Sequence, residues 1–266
     1  MKMKKYLFLL TTVIILGACG DRTNEEETNS SIVETGLKET YVVGIDDTFA
    51  PMSFKDPNGD IVGFDVELAA ATGERLGVDF TFQAIDWVMK ETELNAGNID
   101  LIWNGYSITE ERKEKVAFSD AYLDNKQIIV TLIDSDINTK EDLEGAVVAT
   151  QQSSATLDAL AADETGIVDK FDGGEAVLYP TFVDVFNDLE SGRSQAIVVD
   201  EVLGRYIMKE KGKEKYKVLD DNFGEEEYGV GMRKEDTELQ DAINRALKDI
   251  KESDEYETIY NNWFAE

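Results

Sequence analysis

The sequence predicts an α/β protein, because apolar runs of strand length alternate along it with segments of helical periodicity. The first set of elements begins with a buried-strand pattern over residues 41–45 and continues with a helix from Gly63 to Gly77. A second set begins at residues 127–133. Each set has its own apolar strands and could therefore bury its own core.

The first set contains two consecutive strand–helix–strand units. In the second unit, a helix over residues 87–95 leads to a buried strand at residues 99–103. This strand breaks at Asn104 and Gly105, and the chain restarts as a helix with Thr109 as its expected N-cap. The sharp end of the strand leaves backbone N–H groups facing the region where open α/β sheets bind ligands.

Arg112 lies one helical turn beyond this opening, into which the Ser107 hydroxyl also points. Its planar guanidinium suits a carboxylate better than a lysine would, because it can form two parallel hydrogen bonds. The alternative is a surface arginine paired with Glu111 or Glu114. This segment alone does not decide between the two interpretations.

The second set repeats the alternation of strands and helices. Its expected elements are strand 127–133, helix 140–143, strand 146–149, turn 150–154 opening a helix, helix 181–189, strand 195–200 and helix 202–208. The chain closes with a strand at residues 228–232 and a last helix. That helix carries apolar residues at core spacing: Leu239, Ala242, Ile243, Ala246 and Ile250.

Composition argues against several classes of function. A formal charge of −30 disfavours nucleic acid and an anionic membrane surface as partners, because both would be repelled. The absence of histidine removes the usual general base near neutral pH and the commonest transition-metal ligand. The single cysteine allows neither an intrachain disulfide nor a thiolate zinc cluster. We expect no catalytic residue, no metal and no cofactor.

The N-terminal segment accounts for that cysteine. A basic start is followed by an apolar run, residues 6–16, of signal-peptide length and too short to span a membrane. The sequence from Leu16 to Cys19 resembles the motif at which bacterial lipoprotein precursors are cut and lipid-modified. We predict a lipoprotein signal peptide at residues 1–18 and a flexible tether at residues 19–38, lipid-anchored through Cys19 to the outer face of the cell membrane. An ordinary signal peptide or a short buried helix are the alternatives.

Four separated motifs carry a family resemblance. They are Ser107-Ile-Thr-Glu-Glu-Arg112, Val198-Val-Asp-Glu-Val202, the aromatic pair Phe49 and Trp87, and Gln152-Ser-Ser-Ala155. On these motifs, residues 39–266 resemble the amino-acid-binding proteins of ABC importers, usually called extracellular solute-binding protein family 3. In that family two α/β lobes, each a mostly parallel sheet flanked by helices, are joined by two hinge strands and close on one amino acid.

The resemblance implies specific boundaries for the two lobes. Lobe 1 would comprise residues 39–125 and 230–266, and lobe 2 residues 126–229. The hinge segments would lie near residues 125–128 and 226–230. Binding energy would then be fully realised only when the lobes close, so a ligand would shift the equilibrium between open and closed forms.

The resemblance also implies how the two poles of an amino acid would be held. Arg112 matches the arginine that binds the α-carboxylate, and Asp200 matches the acid that binds the α-ammonium. Gly105 and Ser107 match groups that help to hold the zwitterion, and Asn104 is expected beside them. Asp200 could alternatively serve only as a helix N-cap at the end of a strand.

Further positions are expected around the ligand side chain. Phe49 and Trp87 match aromatic residues that sandwich it, and Asp46 matches a polar position at the far end of the pocket. Aromatic residues beside apolar runs are also common in cores, so a packing role is the alternative for both. Glu91 and Glu93 replace apolar or proline positions of relatives, and could face solvent or the ligand.

The turn at residues 152–155 corresponds to a loop that donates N–H groups to the carboxylate at a helix N-terminus. It departs from the family pattern, because Ser153 stands where glycine is usual and Ala155 where a hydroxyl residue is usual. A shift of the match by one residue changes which serine is equivalent. We expect Ser153 and Ser154 in the site, with Ser154 as the donor.

These features predict a monomeric extracytoplasmic lipoprotein that captures a polar or charged L-amino acid and delivers it to an ABC permease. Glutamine, a basic amino acid and cystine are the candidate ligands. The alternatives are a dehydratase-type enzyme on the same fold, with Asp200, Glu91 or Ser154 in acid chemistry, and a ligand-sensing or adhesin surface lipoprotein. The sequence has no histidine and shows no nucleophile–base pair, which argues against an enzyme.

Overall fold

The computed structural model describes residues 36–264. The predicted signal peptide, Cys19 and the tether up to residue 35 lie outside the described residues. Lys38, the last residue of the predicted tether, donates a hydrogen bond of 2.6 Å to Asp100. Within the described range, no helix combines the length and the apolar character needed to cross a membrane.

Thirteen strands are present in the described part of the chain. They are β1 (Thr40–Ile45), β2 (Thr48–Phe49), β3 (Ser53–Lys55), β4 (Ile61–Val62), β5 (Asp79–Ala84), β6 (Leu101–Ile102), β7 (Ala117–Phe118), β8 (Leu123–Leu132), β9 (Val148–Gln151), β10 (Val177–Tyr179), β11 (Ala196–Asp200), β12 (Tyr216–Tyr228) and β13 (Gly231–Met232).

Eight α-helices alternate with these strands over residues 36–264. They are α1 (Phe64–Leu76), α2 (Lys90–Ala96), α3 (Glu110–Lys113), α4 (Ala155–Ala161), α5 (Phe182–Glu190), α6 (Glu201–Lys211), α7 (Thr237–Lys251) and α8 (Asp254–Phe264). Short 3₁₀ helices lie at Trp87–Met89, Glu141–Leu143, Val168–Lys170, Asp172–Gly174 and Lys213–Lys215. The predicted N-cap of α3 is confirmed, because the Thr109 side chain accepts a hydrogen bond from Arg112 N.

The first sheet has the strand order β5–β1–β6–β13–β7. Its strands β5, β1 and β6 are parallel to one another, whereas β13 is antiparallel to both β6 and β7. Helices α1, α7 and α8 pack against one another. The predicted apolar face of α7 is confirmed, since all five of its residues are buried: Leu239, Ala242, Ile243, Ala246 and Ile250.

The second sheet has the strand order β10–β9–β11–β8–β12. Here β10, β9 and β11 are parallel, and β8 is antiparallel to both β11 and β12. Each sheet therefore has four strands running in one direction and one antiparallel strand, β13 in the first sheet and β8 in the second. Helices α4, α5 and α6 accompany the second sheet. The predicted α/β architecture with two separate sheets is confirmed.

The two long strands β8 and β12 link the sheets. They pair antiparallel from Leu123 and Tyr228 at one end to Leu132 and Tyr216 at the other, with register shifts between them. At the first end, Tyr228 forms a bridge with Ser107 beside the first sheet. The predicted hinge segments lie within or next to these strands, and the exact lobe boundaries stay a prediction.

The start of α1 is fixed by backbone hydrogen bonds to the turn between β2 and β3, two strands of a small sheet that also contains β4. Phe64 N donates to Pro51 O at 2.8 Å, and Asp65 N donates to Met52 O at 2.9 Å. These bonds hold Gly63 at φ 143°, where a Cβ atom would lie 2.2 Å from Met52 O. Only glycine fits this close approach of two backbone segments.

Gly63→Ala is expected to lower the free energy of unfolding by about 3 kcal/mol or more, because strain and a backbone clash coincide. Gly97→Ala is the matched control, since Gly97 also has positive φ (78°) but no atom lies within 4 Å of its Cβ position. The control is expected to cost about 1 kcal/mol. Urea unfolding of both variants checks this, and equal losses would contradict it.

Asp65, in the first turn of α1, holds the turn that follows β6. Its Oδ2 atom accepts hydrogen bonds from Gly105 N at 2.7 Å and from the Tyr122 hydroxyl at 3.0 Å. Its Oδ1 atom is buried with no hydrogen-bond partner among the described residues. Burial raises the pKa of Asp65 to about 7, although the two hydrogen bonds oppose that shift.

The folded protein should therefore keep a proton on Asp65 at pH values where the unfolded chain has lost it. This proton stabilises the folded state fully below about pH 4, and its contribution is lost as the pH rises towards 7. Relative to Asp65→Asn, the wild type should lose up to about 1.4 kcal/mol per pH unit across that window. Urea unfolding at several pH values checks this, and parallel stability curves would contradict it.

Candidate functional site

Polar side chains gather where the carboxyl ends of parallel strands from both sheets meet. In the first sheet, Asp46 directly follows β1 and Asn104 lies two residues beyond β6. In the second sheet, Gln151 ends β9 and Asp200 ends β11. The two sides are in contact, because Gln151 Nε2 donates to Asp46 Oδ2 at 2.9 Å. This is the region in which open α/β sheets bind ligands.

We call this junction the interlobe site. It contains the sequence-predicted residues that lie in the described part of the chain, all of them buried except Ser153, which is partly exposed: Asp46, Phe49, Trp87, Asn104, Gly105, Ser107, Arg112, Ser153, Ser154 and Asp200. Their contacts with a ligand stay predictions. Over residues 36–264, no group of His, Cys, Asp or Glu is arranged to hold a metal ion.

Arg112 is not a surface arginine, because only 5% of it is exposed. Its guanidinium lies 4.5 Å from the centre of the Tyr106 ring. Nη1 donates to Ser107 O at 3.0 Å, and Nη2 donates to Ser153 O at 3.3 Å. The neighbouring Glu111 pairs with Lys115 instead, at 2.6 Å. The guanidinium therefore faces neutral carbonyl groups from both sides of the junction.

Asp200 is held by three donors. Asn125 Nδ2, Gln127 Nε2 and the Tyr228 hydroxyl all donate to its Oδ1 atom, at 2.8, 3.1 and 2.8 Å. Although it occupies the N-cap position of α6, its side chain makes no capping hydrogen bond there. The carboxylate is thus buried, oriented by polar neighbours and directed away from the role of a simple cap.

Asp46 and Asn104 are tied to each other and to their surroundings. Asp46 N donates to Asn104 Oδ1 at 2.9 Å, while Asp46 Oδ1 accepts from the backbone N–H and the hydroxyl of Thr48. Burial raises the pKa of Asp46, although hydrogen bonds from Thr48 and Gln151 oppose the shift. The Asn104 Nδ2 atom has no partner within residues 36–264 and remains a free donor in the site.

The two predicted aromatic residues contact other rings. The ring centres of Phe49 and Phe182 lie 5.8 Å apart, and Phe182 begins α5 beside the second sheet. Trp87 meets the Tyr106 ring edge-on at 5.9 Å. Gly105 brings the chain close to Phe49, because a Cβ atom on Gly105 would lie 2.7 Å from a carbon of that ring. Both aromatic side chains are therefore packed against other rings at the junction, and their contact with a ligand stays a prediction.

The turn before α4 shows why glycine is usual at the position of Ser153. Ser153 has φ 55°, a left-handed conformation that glycine adopts without steric cost. Its carbonyl accepts from both Arg112 Nη2 and Lys90 Nζ, the latter at 3.1 Å. The Ser154 hydroxyl donates to Gln151 O at 2.7 Å. With that proton engaged, the backbone N–H is the group of Ser154 that could serve a ligand.

Lys90 is a site residue that the sequence analysis missed. It is buried, its ammonium lies 5.0 Å from the Trp87 ring centre, and it forms an ion pair of 3.4 Å with Glu91. Burial and, to a smaller extent, the charge of Arg112 together lower its pKa to about 8, although Glu91 opposes the shift. The sequence did contain one signal: Lys90 lies three residues after Trp87 on a helical segment, which places both side chains on the same face.

The structure also distinguishes the two acids on the Lys90 segment. Glu91 faces the site, because its Oε1 atom accepts a hydrogen bond from the Tyr106 hydroxyl at 2.9 Å. Glu93 instead accepts from the exposed side chain of Asn98 at 2.7 Å. Of the two positions where the sequence left solvent or ligand open, only Glu91 is therefore directed towards the interlobe site.

Asn125, Gln127 and Glu226 were missed as well. Asn125 and Gln127 alternate along β8, so both side chains point to the same face of the strand, where they reach Asp200. Glu226 lies on the paired strand β12, two residues before Tyr228. In the sequence, the only signal was the spacing of two residues between Asn125 and Gln127 and between Glu226 and Tyr228. The pairing of β8 with β12 is what brings these side chains to Asp200.

Comparison with known proteins relates this geometry to a family. The family model of bacterial extracellular solute-binding proteins, family 3, matches residues 41–266. The lysine/arginine/ornithine-binding periplasmic protein of Escherichia coli (strain K12) is 34% identical over 235 residues, which cover 86% of this chain and 88% of that protein.

Two solved structures share the fold. A substrate-binding protein of an ABC uptake transporter from Streptococcus pneumoniae, with bound histidine, has 38% sequence identity and a TM-score of 0.83 over 86% of this chain and 93% of that one. The ancestral amino acid-binding protein AncCDT-1, a precursor of cyclohexadienyl dehydratase, has 33% identity and a TM-score of 0.76 over 85% of this chain and 96% of its own. With two sheets linked by β8 and β12 and a family match over nearly all described residues, this chain belongs to the bacterial extracellular solute-binding proteins of family 3.

Proposed function

We propose that this protein captures a polar or charged L-amino acid at the interlobe site and delivers it to an ABC permease. The observation that carries the proposal is the burial of Arg112 and Asp200 at one junction between the two sheets. A free amino acid is a dipolar ion, so a selective site needs a bidentate donor for one pole and a carboxylate for the other. The two charged poles of the ligand should lose their water only when each is paired, because an unpaired buried charge is costly.

The surroundings of Arg112 suit a ligand carboxylate. Its guanidinium donates to the Ser107 and Ser153 carbonyl oxygens, and a carboxylate that replaced the Ser153 carbonyl would form a stronger, charge-assisted pair. The Tyr106 ring beneath the guanidinium fixes its plane. On the other side, the three donors to Asp200 Oδ1 orient that carboxylate for an ammonium group.

Lobe closure is the step that would join these two halves. We assign lobe 1 to residues 39–125 and 230–266 and lobe 2 to residues 126–229. Contacts across the junction support this assignment: Arg112 and Lys90 with the Ser153 carbonyl, Asp46 with Gln151, and the ring of Phe49 with that of Phe182. A ligand that adds its own contacts on both sides would favour the closed form.

The choice of ligand depends on the acids near the side-chain end. Asp46 and Glu91 could each accept a hydrogen bond from a basic or amide side chain, once Gln151 or Tyr106 yields its contact. The names of the relatives, which refer to lysine, arginine, ornithine and histidine, support a polar or charged amino acid. Glutamine and cystine remain within the proposed class.

A dehydratase is the second candidate, favoured by the structural likeness to the dehydratase precursor. The contacts argue against it. The Ser154 hydroxyl donates to a backbone carbonyl and Glu91 accepts from Tyr106, so neither is poised as a nucleophile with a base beside it. The acids of the interlobe site, Asp46, Glu91 and Asp200, are paired with neutral donors or with Lys90, an arrangement that suits binding more than proton transfer.

Mutation of the two charged residues tests the proposed site. In a thermal-shift screen of the amino acids and cystine, a ligand held by the folded form should raise the melting temperature of the wild type. Arg112→Ala and Asp200→Asn should each weaken binding by about 100-fold or more, because each leaves one pole of the ligand buried without a partner. Calorimetric titration measures that loss.

Two matched variants separate the site from general effects. Lys113→Ala removes a charge from the same helix as Arg112, where Lys113 pairs with the exposed Glu110. Asp241→Asn removes an acid from the exposed face of α7. Both should bind as the wild type does, and circular dichroism should show that all four variants fold. Undiminished affinity in either site variant would remove the basis of the proposal.

Attachment to the membrane is proposed to depend on Cys19. The Leu16-Gly-Ala-Cys19 motif supports a lipidated N-terminus at the outer face of the cell membrane, because acyl chains anchor a protein whose own surface is strongly acidic. Cys19→Ser should abolish labelling by radioactive palmitate and move the protein from the membrane fraction to the soluble fraction. Retention of the variant in membranes, with labelling intact, would contradict the proposed anchor.

A further inference from the structure

Glu226 shares its hydrogen-bond donors with Asp200. Asn125 Nδ2 donates to Glu226 Oε1 at 2.5 Å and to Asp200 Oδ1 at 2.8 Å, while Gln127 Nε2 donates to the same two atoms at 2.9 and 3.1 Å. Two side-chain amides therefore bridge two carboxyl groups. Such close carboxyl groups cannot both be ionised without a large cost, so the pair retains a proton.

The groups around Glu226 are mostly acidic. A cavity of about 660 Å³ beside it is lined by Asp124, Lys126, Glu201, Glu225 and Glu227 together with Asn125 and Ile108. Lys126 is engaged with Glu201 at 3.4 Å, and Arg112 is the cation whose charge favours ionised Glu226. Burial and the negative charge of Asp200 outweigh Arg112 and raise the pKa of Glu226 to about 8.

The position of the proton follows from the donors. Asp200 receives a third hydrogen bond, from the Tyr228 hydroxyl, whereas Glu226 accepts from the two amides. Glu226 is partly exposed towards the cavity, so a proton on it has a path to solvent. Glu226 is thus the member of the pair that holds the proton, and Asp200 is the member that faces the site.

We propose that Glu226 is a second acid of the ammonium subsite and that the arriving α-ammonium displaces its proton to solvent. This inference rests on the proposed function, since it takes Asp200 as the partner of the ammonium. The Glu226 O–H bond breaks, the proton passes to water through the cavity, and the ligand enters as an intact ammonium ion. The negative charge gained by Glu226 compensates the positive charge that is buried with the ligand.

The linkage has a defined direction. Because binding releases a proton, affinity should increase as the pH rises towards about 8 and level off above that value. The increase should be at most about tenfold per pH unit, with up to about one proton released per ligand near pH 7. Asp65 and Lys90 have pKa values in the same range, so a variant of Glu226 must isolate its share.

Titration calorimetry provides the test, with L-arginine as the probe and L-glutamine if arginine does not bind. Neither side chain titrates between pH 6 and 8, unlike that of histidine. Heats measured in phosphate and in Tris give the number of protons released. Glu226→Gln keeps a side chain that can accept from both amides but cannot lose a proton. Glu225→Gln removes a neighbouring, exposed acid of the same cavity and is the matched control.

The wild type and Glu225→Gln should release protons and bind more tightly as the pH rises. Glu226→Gln should bind with no such release, and its affinity should fall progressively behind that of the wild type between pH 6 and 8. Binding by the wild type without proton release would overturn the inference while leaving the proposed function intact, as would equal release by Glu226→Gln. If Glu226→Gln does not fold, Glu226→Asp should retain the release. Failure of the wild type to bind any amino acid would overturn both.

Discussion

The burial of the Arg112 charge is the constraint on which the interlobe site depends. A guanidinium removed from water must find acceptors and a favourable surface, since an unpaired buried charge costs several kcal/mol. Here the Tyr106 ring and two backbone carbonyl groups provide them. One of these carbonyls, that of Ser153, comes from the second sheet side. Contact between the two sides of the molecule therefore contributes one of the acceptors of this charge.

The same requirement explains the other contacts at the junction. Asp46 and Gln151 end neighbouring strands of different sheets, and each satisfies a polar group of the other. Lys90 uses the Ser153 carbonyl and Glu91 in the same way. Apart from the Lys90–Glu91 ion pair, these bonds are neutral or mixed contacts that a ligand with full charges could improve on. The site is thus closed by interactions that are strong enough to order it and weak enough to be exchanged.

Sequence patterns predicted the elements of the fold and the strand ends at which the site lies. Arg112 and Asp200 lie near the ends of apolar strands, but that pattern left a surface arginine and a helix N-cap open, and the family resemblance was needed to predict them as site residues. Gln151 also lies at a strand end, but it is followed by two further polar residues, so the sequence does not single it out as a site residue. The hydrogen bond that the Ser154 hydroxyl donates to Gln151 O could not be predicted, because it depends on the conformation of one turn.

Lys90 and Glu226 could not be identified for a different reason. Each lies in a charged stretch that, by composition, is typical of a solvated surface. Whether such a residue is buried is decided by the tertiary structure: Ser153 covers Lys90 from another lobe, and strand pairing with β8 brings Glu226 against Asn125 and Gln127. The local spacing of Lys90 and Glu226 fits a solvated surface as well as a site, so these contacts between residues far apart in the sequence decide which it is.

The local charges at the site matter more for selectivity than the net charge of the chain. A formal charge of −30 attracts cationic solutes and repels anionic ones, but salt screens that field beyond about 10 Å. At the site, Arg112 and Lys90 are set against Asp200, Asp46 and Glu91, all within a region of reduced dielectric where each charge acts strongly on its neighbours. Under the proposed function, the net charge would influence how fast a ligand arrives, whereas these five side chains, together with Glu226, would determine which ligand is held.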